Sequence, residues 1–251
     1  MGGVTDICSD KTGTLTQNRM TVVQAWIAGH TYTKFDGLQL PARVFSFIAE
    51  ALALNIGDGQ IIPEEDGRYR FVGSPTECAI LVWGKKLGIN QDGYRESHPK
   101  VYTYNFTSDR KRMSSVVELP KDGGVEQRYR LYCKGASEMV LRRCKKFVDD
   151  DGNSHRLNSS MRNEVEEIVV NLSSKGLRTV CLAYRDFKRQ SHWAKGGDEG
   201  KGFEEGLTLI GVIGIEDPLR PEVSEAIFTC KVSSPFSPLE FVLRSNHVCT
   251  I

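Results

Sequence analysis

The sequence of 251 residues has no long hydrophobic run. Its longest strongly apolar stretch, Leu207 to Ile215, is far short of the ~20 residues that a bilayer-spanning helix needs. Net charge is nearly absent too. With 33 basic residues against 32 acidic ones and no block of either sign, the electrostatics give no reason to expect nucleic acid. There is no CxxC pair. The seven cysteines (Cys8, Cys78, Cys133, Cys144, Cys181, Cys230 and Cys249) are odd in number and irregularly spaced, so they read as free thiols in a reducing compartment rather than a disulfide framework. No HExxH motif or His/Cys cluster suggests zinc. No secretory signal opens the chain, and Asp6 stands where a myristoylation start requires Ser or Thr. No internal repeat is visible. The expectation is a soluble chain of one large domain or two smaller ones.

What is present alternates between strands and helices. Val4 to Cys8 reads as a short buried strand and Ser9 to Thr16 as a polar loop. Met20 to Ile27 reads as a strand, turning at Gly29 and His30 into Tyr32 to Phe35. Arg43 to Leu54 places Val44, Phe47, Ile48, Ala51 and Leu52 at helical spacing, and the Gly- and acid-rich stretch from Asn55 to Gly67 reads as loop. Ser74-Pro75-Thr76-Glu77 has the form of a capping box, predicting a helix to about Lys86 that Gly88 ends. Strands follow at Val101 to Phe106, Met113 to Leu119 and Arg128 to Cys133, with Lys121 to Gly124 as the turn between the last two. Ser137 to Lys146 is expected to be helical. Met161, Val165, Ile168, Val169 and Leu172 form one face of another helix, stopped by Gly176. Strands at Thr179 to Tyr184 and Leu207 to Ile215 flank a basic, Gly-rich loop. The fold class is α+β, an antiparallel sheet with flanking helices.

One segment concentrates chemistry. Asp10-Lys11-Thr12-Gly13-Thr14-Leu15-Thr16 follows an apolar strand, which puts a carboxylate at a strand's carboxyl end, where open α/β sheets bind ligands. Asp10 has the chemistry to attack phosphorus and form an acyl phosphate, while the backbone N–H groups opened by Gly13 suit phosphate oxygens. Seven specified residues in a row arise by chance on the order of once in a billion positions. DKTGTLT is the phosphorylation signature of P-type ATPases, and the chain resembles that family, most of all its plasma-membrane-type calcium pumps. The resemblance implies ATP and Mg²⁺ as cofactors and Ca²⁺ as cargo of the parent pump. It makes Asp10 the phosphorylated residue, with Lys11 and Thr14 lining the phosphate site. Asp10 and the Thr12 carbonyl would hold the metal.

The resemblance extends along the chain. Glu77 matches a glutamate near the adenine edge, although its sequence context supports the capping box equally well. Phe106, in Tyr-Asn-Phe-Thr-Ser-Asp-Arg-Lys-Arg-Met, resembles the ring on which adenine stacks, where a strand-end Phe would otherwise be core. Ser108 departs from members that carry Arg there. Lys111 lies just past this platform and would reach the phosphates. Lys134 and Gly135, in Lys-Gly-Ala-Ser-Glu, resemble the nucleotide-pocket element, with the glycine permitting close approach of a ligand. Arg178 matches an arginine that contacts nucleotide phosphates. Asp217, Pro218 and Arg220 resemble the DPxR hinge through which the chain returns to the phosphorylation domain.

These matches imply four segments. Residues 1–19 begin a haloacid-dehalogenase-like α/β phosphorylation domain that is incomplete here, 20–213 form the nucleotide-binding domain, 214–230 are the hinge and return, and 231–251 are an atypical tail. No TGD or GDGxND loop and no ion-site helix is present, so the chain reads as a pump fragment. The expected partner is ATP, without nucleic acid. The transmembrane and actuator parts would belong to a parent embedded in a membrane, with this region on the cytoplasmic side. Calmodulin regulation of the parent is not legible in this stretch. Two rivals stand beside the pump reading: a nucleotide-binding module without turnover, and a soluble phosphatase or mutase sharing the Asp nucleophile. Thr12 argues against the latter, because those enzymes carry a second Asp at that place.

Overall fold

The structure, a computed structural model, describes residues 8–9, 11–65, 67, 69–120, 127–188, 192–193, 202–232 and 242–243. The chain divides into two compact units, one of Met1–Met20 with Asp217–Ile251 and one of Thr21–Glu216. In chain order the elements are β1 (Cys8–Ser9), β2 (Thr21–Ile27), β3 (His30–Tyr32), α1 (Ala42–Leu54), β4 (Gln60–Pro63), β5 (Tyr69–Val72), α2 (Pro75–Lys86) and α3 (Gln91–Ser97). Then come β6 (Lys100–Tyr104), β7 (Arg112–Glu118), β8 (Tyr129–Ala136), α4 (Ser137–Leu141), β9 (Cys144–Val148), β10 (Ser154–Arg156) and α5 (Ser159–Ser174). The last are β11 (Arg178–Phe187), β12 (Leu207–Glu216), α6 (Val223–Val232) and β13 (Val242–Leu243). No helix among the described residues is long and apolar enough to cross a membrane.

The larger unit is built on nine strands among the described residues, running β10-β9-β12-β11-β8-β7-β6, with β2 and β3 attached through β12. Pairing is antiparallel except between β12 and β9. Strand β12 is apolar and buried along nearly its whole length, with strands on both edges and helices α1 and α5 packed against it. It pairs with β11 on one edge, while the other is shared by β9 at Leu207–Leu209 and β2 at Gly211–Glu216. Alternation along β11 separates the two faces. Cys181 and Ala183 join Val140, Leu141, Val165 and Leu172 of α4 and α5 in one core. Tyr184 points the other way and stacks on Phe47 of α1, with ring centroids 4.7 Å apart.

Several expectations hold. Helix α5 buries Val165 and Leu172, with Met161, Ile168 and Val169 packed alongside, and α2 ends where Gly88 takes φ +77°. Others need correction. The helix expected to reach Lys146 stops at Leu141, and Cys144–Val148 instead forms β9, because Cys144 and Val148 gain burial in the sheet between β10 and β12. The stretch read as loop from Asn55 to Gly67 contains β4, which pairs with β5 in a separate hairpin. Helix α3 had no apolar period to reveal it and is started by Asn90, whose side chain accepts from Gly93 N–H at 3.2 Å. The segment from Lys11 to Leu15 is one turn of π-helix rather than open loop. The expected turn at Lys121 to Gly124 lies outside the described residues.

The smaller unit pairs β1 with β13 in parallel and joins Thr16 to Leu219 by an antiparallel bridge.

Candidate functional site

A cleft of about 1110 Å³ opens within the larger unit, on the sheet face that Tyr184 and α1 share. It exceeds the roughly 300–1,000 Å³ usual for small-molecule sites. Its walls come from the loop after α1, the start of α2, β6 and the turn after it, β7, the end of β8 and the start of β11. Of the residues singled out in the sequence, Glu77, Phe106, Lys111, Lys134, Gly135 and Arg178 all line it. They span about a hundred positions of sequence and meet because β8 pairs with both β7 and β11.

Phe106 is 59% exposed, so its ring is a cleft wall and not core. The turn that presents it is closed by Lys111 N–H donating to the Thr107 carbonyl at 2.8 Å. Lys111 takes φ +50°, a left-handed conformation costly for a residue with a Cβ. That conformation lets its carbonyl accept from Ala136 N–H at 2.9 Å. Gly135 is required by this same approach. A Cβ there would lie 2.4 Å from the Lys111 carbonyl oxygen, so its bareness serves the β7–β8 contact, where the sequence suggested room for a ligand.

Glu77 and Lys134 form a buried ion pair at 2.5 Å, with both side chains 8% exposed. The carboxylate also accepts from Gly57 N–H at 2.9 and 3.1 Å and from Gly59 N–H at 2.8 Å, and the Lys134 ammonium also donates to the Asn55 carbonyl. A Cβ on Gly59 would sit 2.4 Å from that of Glu77, so only glycine admits the loop this closely. Burial works to raise the Glu77 carboxyl; the Lys134 ammonium and the glycine N–H groups overcome it and hold the group below the usual carboxylate range. Burial pushes Lys134 down, against the pull of Glu77. The capping box is thereby corrected. Ser74 stands at the N-cap with no side-chain capping bond, and Glu77 turns toward the 55–59 loop, where the Gly57 N–H, the buried Gly59 N–H and an ammonium offer more than an exposed helix end.

Arg178 opens β11 and donates to the Thr76 hydroxyl at 2.9 Å. Lys100, which no motif marked, also lines the cleft and donates to the Ile56 carbonyl at 3.0 Å. A second buried ion cluster lies behind the platform. Glu204, 1% exposed, accepts from Arg110 at 2.5 Å, Arg112 at 2.7 Å and Ser114 at 2.5 Å.

The smaller unit gathers the other motif residues. Thr16 donates its hydroxyl proton to Asp217 at 2.8 Å, and Gln17 N–H donates to the Pro218 carbonyl at 2.9 Å. Arg220 donates through its backbone N–H to the Leu15 carbonyl and through its guanidinium to the Gly13 carbonyl, both at 2.9 Å. Thr14 is exposed. Asp10 lies outside the described residues, as do the side chains of Lys11 and Thr12. Among the described residues no group of three or more His, Cys, Asp and Glu side chains is arranged to hold a metal ion.

The larger α+β unit thus carries a cleft walled by one exposed aromatic ring, four cations and the two carboxylates Asp58 and Glu77. The family model described as "P-type ATPase, cytoplasmic domain N" matches residues 44–222, and the chain belongs to that family. It is 42% identical over 240 residues to plasma membrane calcium-transporting ATPase 4 of Bos taurus and 40% over 244 residues to plasma membrane calcium-transporting ATPase 1 of Gallus gallus. It is 37% identical over 239 residues to calcium-transporting ATPase 4, plasma membrane-type, of Arabidopsis thaliana. These alignments cover 92%, 92% and 93% of this chain and 19%, 19% and 22% of the relatives, so the chain spans about a fifth of their length.

Proposed function

We propose that the chain is the ATP-binding catalytic region of a calcium-transporting P-type ATPase, a membrane pump with this region on the cytoplasmic side. The observation that carries the reading is the pairing, in one cleft, of the exposed Phe106 ring with the cations Lys100, Lys111, Lys134 and Arg178. A base stacks on a free aromatic face, and a polyphosphate needs several cations to replace its hydration. In this reading adenine lies on Phe106, and Lys111 and Arg178 draw the phosphates. The carboxylate of Asp10 attacks the γ-phosphorus: the new O–P bond makes an acyl phosphate and ADP departs with the electron pair of the broken P–O bond. Mg²⁺, when bound, would supply charge neutralisation at the transferring group, held by Asp10 and the Thr12 carbonyl. The names of the relatives support calcium as the cargo.

Replacing Phe106 with Ala tests the binding half. ATP affinity should fall by ~1–3 kcal/mol, roughly 5- to 150-fold, in calorimetry on the full chain. Unchanged affinity would sink the role of Phe106. A second reading, a nucleotide-binding module without turnover, is favoured by one observation: every residue lining the cleft belongs to the Thr21–Glu216 unit, which needs no contribution from Asp10 to form it. Incubation with labelled ATP and Mg²⁺ separates the two. An acid-stable phosphoenzyme above an Asp10→Asn control supports the first, and its absence supports the second.

A further inference from the structure

The turn after β6 presents the Phe106 ring and Lys111 to the cleft, yet Phe106 is exposed and Lys111 holds a costly left-handed conformation. Support for the turn comes from the other face of the sheet. Alternation along β7 sends Met113 into the cleft and its neighbours Arg112 and Ser114 to the opposite side. There the single carboxylate of Glu204 accepts from Arg110, Arg112 and Ser114. Each arginine makes a second bond. Arg110 donates to the Asn105 carbonyl at 2.5 Å, and Arg112 donates to the Arg110 carbonyl at 3.1 Å. Those carbonyls belong to the two peptide units that lead into Phe106 and into Lys111. A peptide unit is planar, so holding its carbonyl also sets where the next Cα lies. Glu204 is itself fixed. The Arg185 guanidinium donates to the carbonyls of Gly202, Phe203 and Glu205 around it, and the Phe203 ring packs on Tyr104, Phe187 and Trp193.

We propose that Glu204, from the connection between β11 and β12, is a positioning residue for nucleotide binding: through Arg110 and Arg112 it sets the placement of the Phe106 ring and the Lys111 ammonium. Neither Glu204 nor the two arginines line the cleft. The inference rests on the nucleotide reading above and adds to it a residue that would touch no part of the ligand. A base and a polyphosphate then meet a turn that is already ordered, and the entropy of ordering it is not subtracted from the affinity. Only a carboxylate suits the place, because it accepts at both oxygens, whereas an amide would present one acceptor and turn two donors toward the guanidinium groups.

The test is calorimetry with ATP on the full chain, each variant first shown by urea unfolding to be folded under the conditions used. Glu204→Asp keeps the charge and retracts the carboxylate by about 1.5 Å, one carbon–carbon bond, so that it no longer holds both arginines. ATP affinity should fall about tenfold, and on a Phe106→Ala background only about threefold, because one of the two groups it places is already gone. A merely structural role lowers stability and leaves the affinity of the folded protein unchanged. A loss below twofold in folded Glu204→Asp, or an undiminished tenfold loss on the Phe106→Ala background, would overturn the proposal, and ATP binding by the unaltered chain would keep the nucleotide reading standing. Arg112→Lys carries the same test if Glu204→Asp does not fold. It keeps the charge beside Glu204 but cannot also reach the Arg110 carbonyl, so ATP affinity should fall about threefold, and not at all on a Lys111→Met background. Unchanged affinity in Arg112→Lys, or the same threefold loss with Lys111→Met in place, would equally overturn it. If the unaltered chain binds no ATP, the nucleotide reading falls and this inference with it.

Discussion

Replacing Glu77 with Ala gives the sharpest check on how the cleft is built. The substitution strands the Gly57 and Gly59 N–H groups and leaves the buried Lys134 ammonium with only the Asn55 carbonyl. The buried Gly59 donor, once stranded, costs about 1–3 kcal/mol, whereas water can serve the exposed Gly57, and breaking a buried ion pair from one side costs about 3–5 kcal/mol. These overlap, because relaxation of the 55–59 loop lets water reach some of the groups, so about 3–5 kcal/mol is the expected loss for the whole change. For a unit of this size that lowers the melting temperature by roughly 6–20 °C. Urea unfolding of the full chain followed by tryptophan fluorescence is a suitable assay. Replacing both Glu77 and Lys134 with Met should cost less than the two single changes together, since no charge is then left unpaired. The pair also has a pH signature. The Glu77 carboxyl is held below its ordinary value of 4.5, so its contribution is fully present above that pH and is lost as the pH falls through the lower folded value. If Glu77→Ala loses less than about 1 kcal/mol, the buried ion pair of Glu77 with Lys134 described above is wrong.

Three other perturbations separate the features. Ser74→Ala should change stability by less than about 0.5 kcal/mol, because the hydroxyl makes no capping bond, whereas a true cap would cost about 0.5–2 kcal/mol; denaturation midpoints decide. Glu204→Gln should cost about 3–5 kcal/mol by leaving two buried guanidinium groups short of their anion, and a wild-type urea midpoint would contradict the cluster. Gly135→Ala should destabilise by about 1–3 kcal/mol through its clash with the Lys111 carbonyl, seen as a lowered melting temperature, and a neutral result would mean β7 and β8 are less tightly apposed.

Local signals were legible in the sequence wherever the physics was local. The period of α5, Pro75 and Gly88 around α2, and the apolar run of β12 depend on neighbours within a few positions, so the residues themselves specify the element. The cleft residues Phe106, Lys111, Lys134 and Arg178 could be singled out because their motifs are contiguous, although only the pairing of β8 with β7 and β11 brings them to one cleft. Tertiary structure decided the partners. Glu77 could cap its own helix or reach Lys134, 57 positions away, and the choice fell to burial, which makes an ion pair with two backbone donors worth more than a solvated cap. Glu204 had no local pattern, and its three partners are at least 90 positions distant. Residues 144–146, helical by their immediate surroundings, became strand because an open sheet edge between β10 and β12 satisfies their backbone groups and buries Cys144. A hydrogen bond or buried contact across such separations is paid for by the whole fold, and no window of sequence contains it.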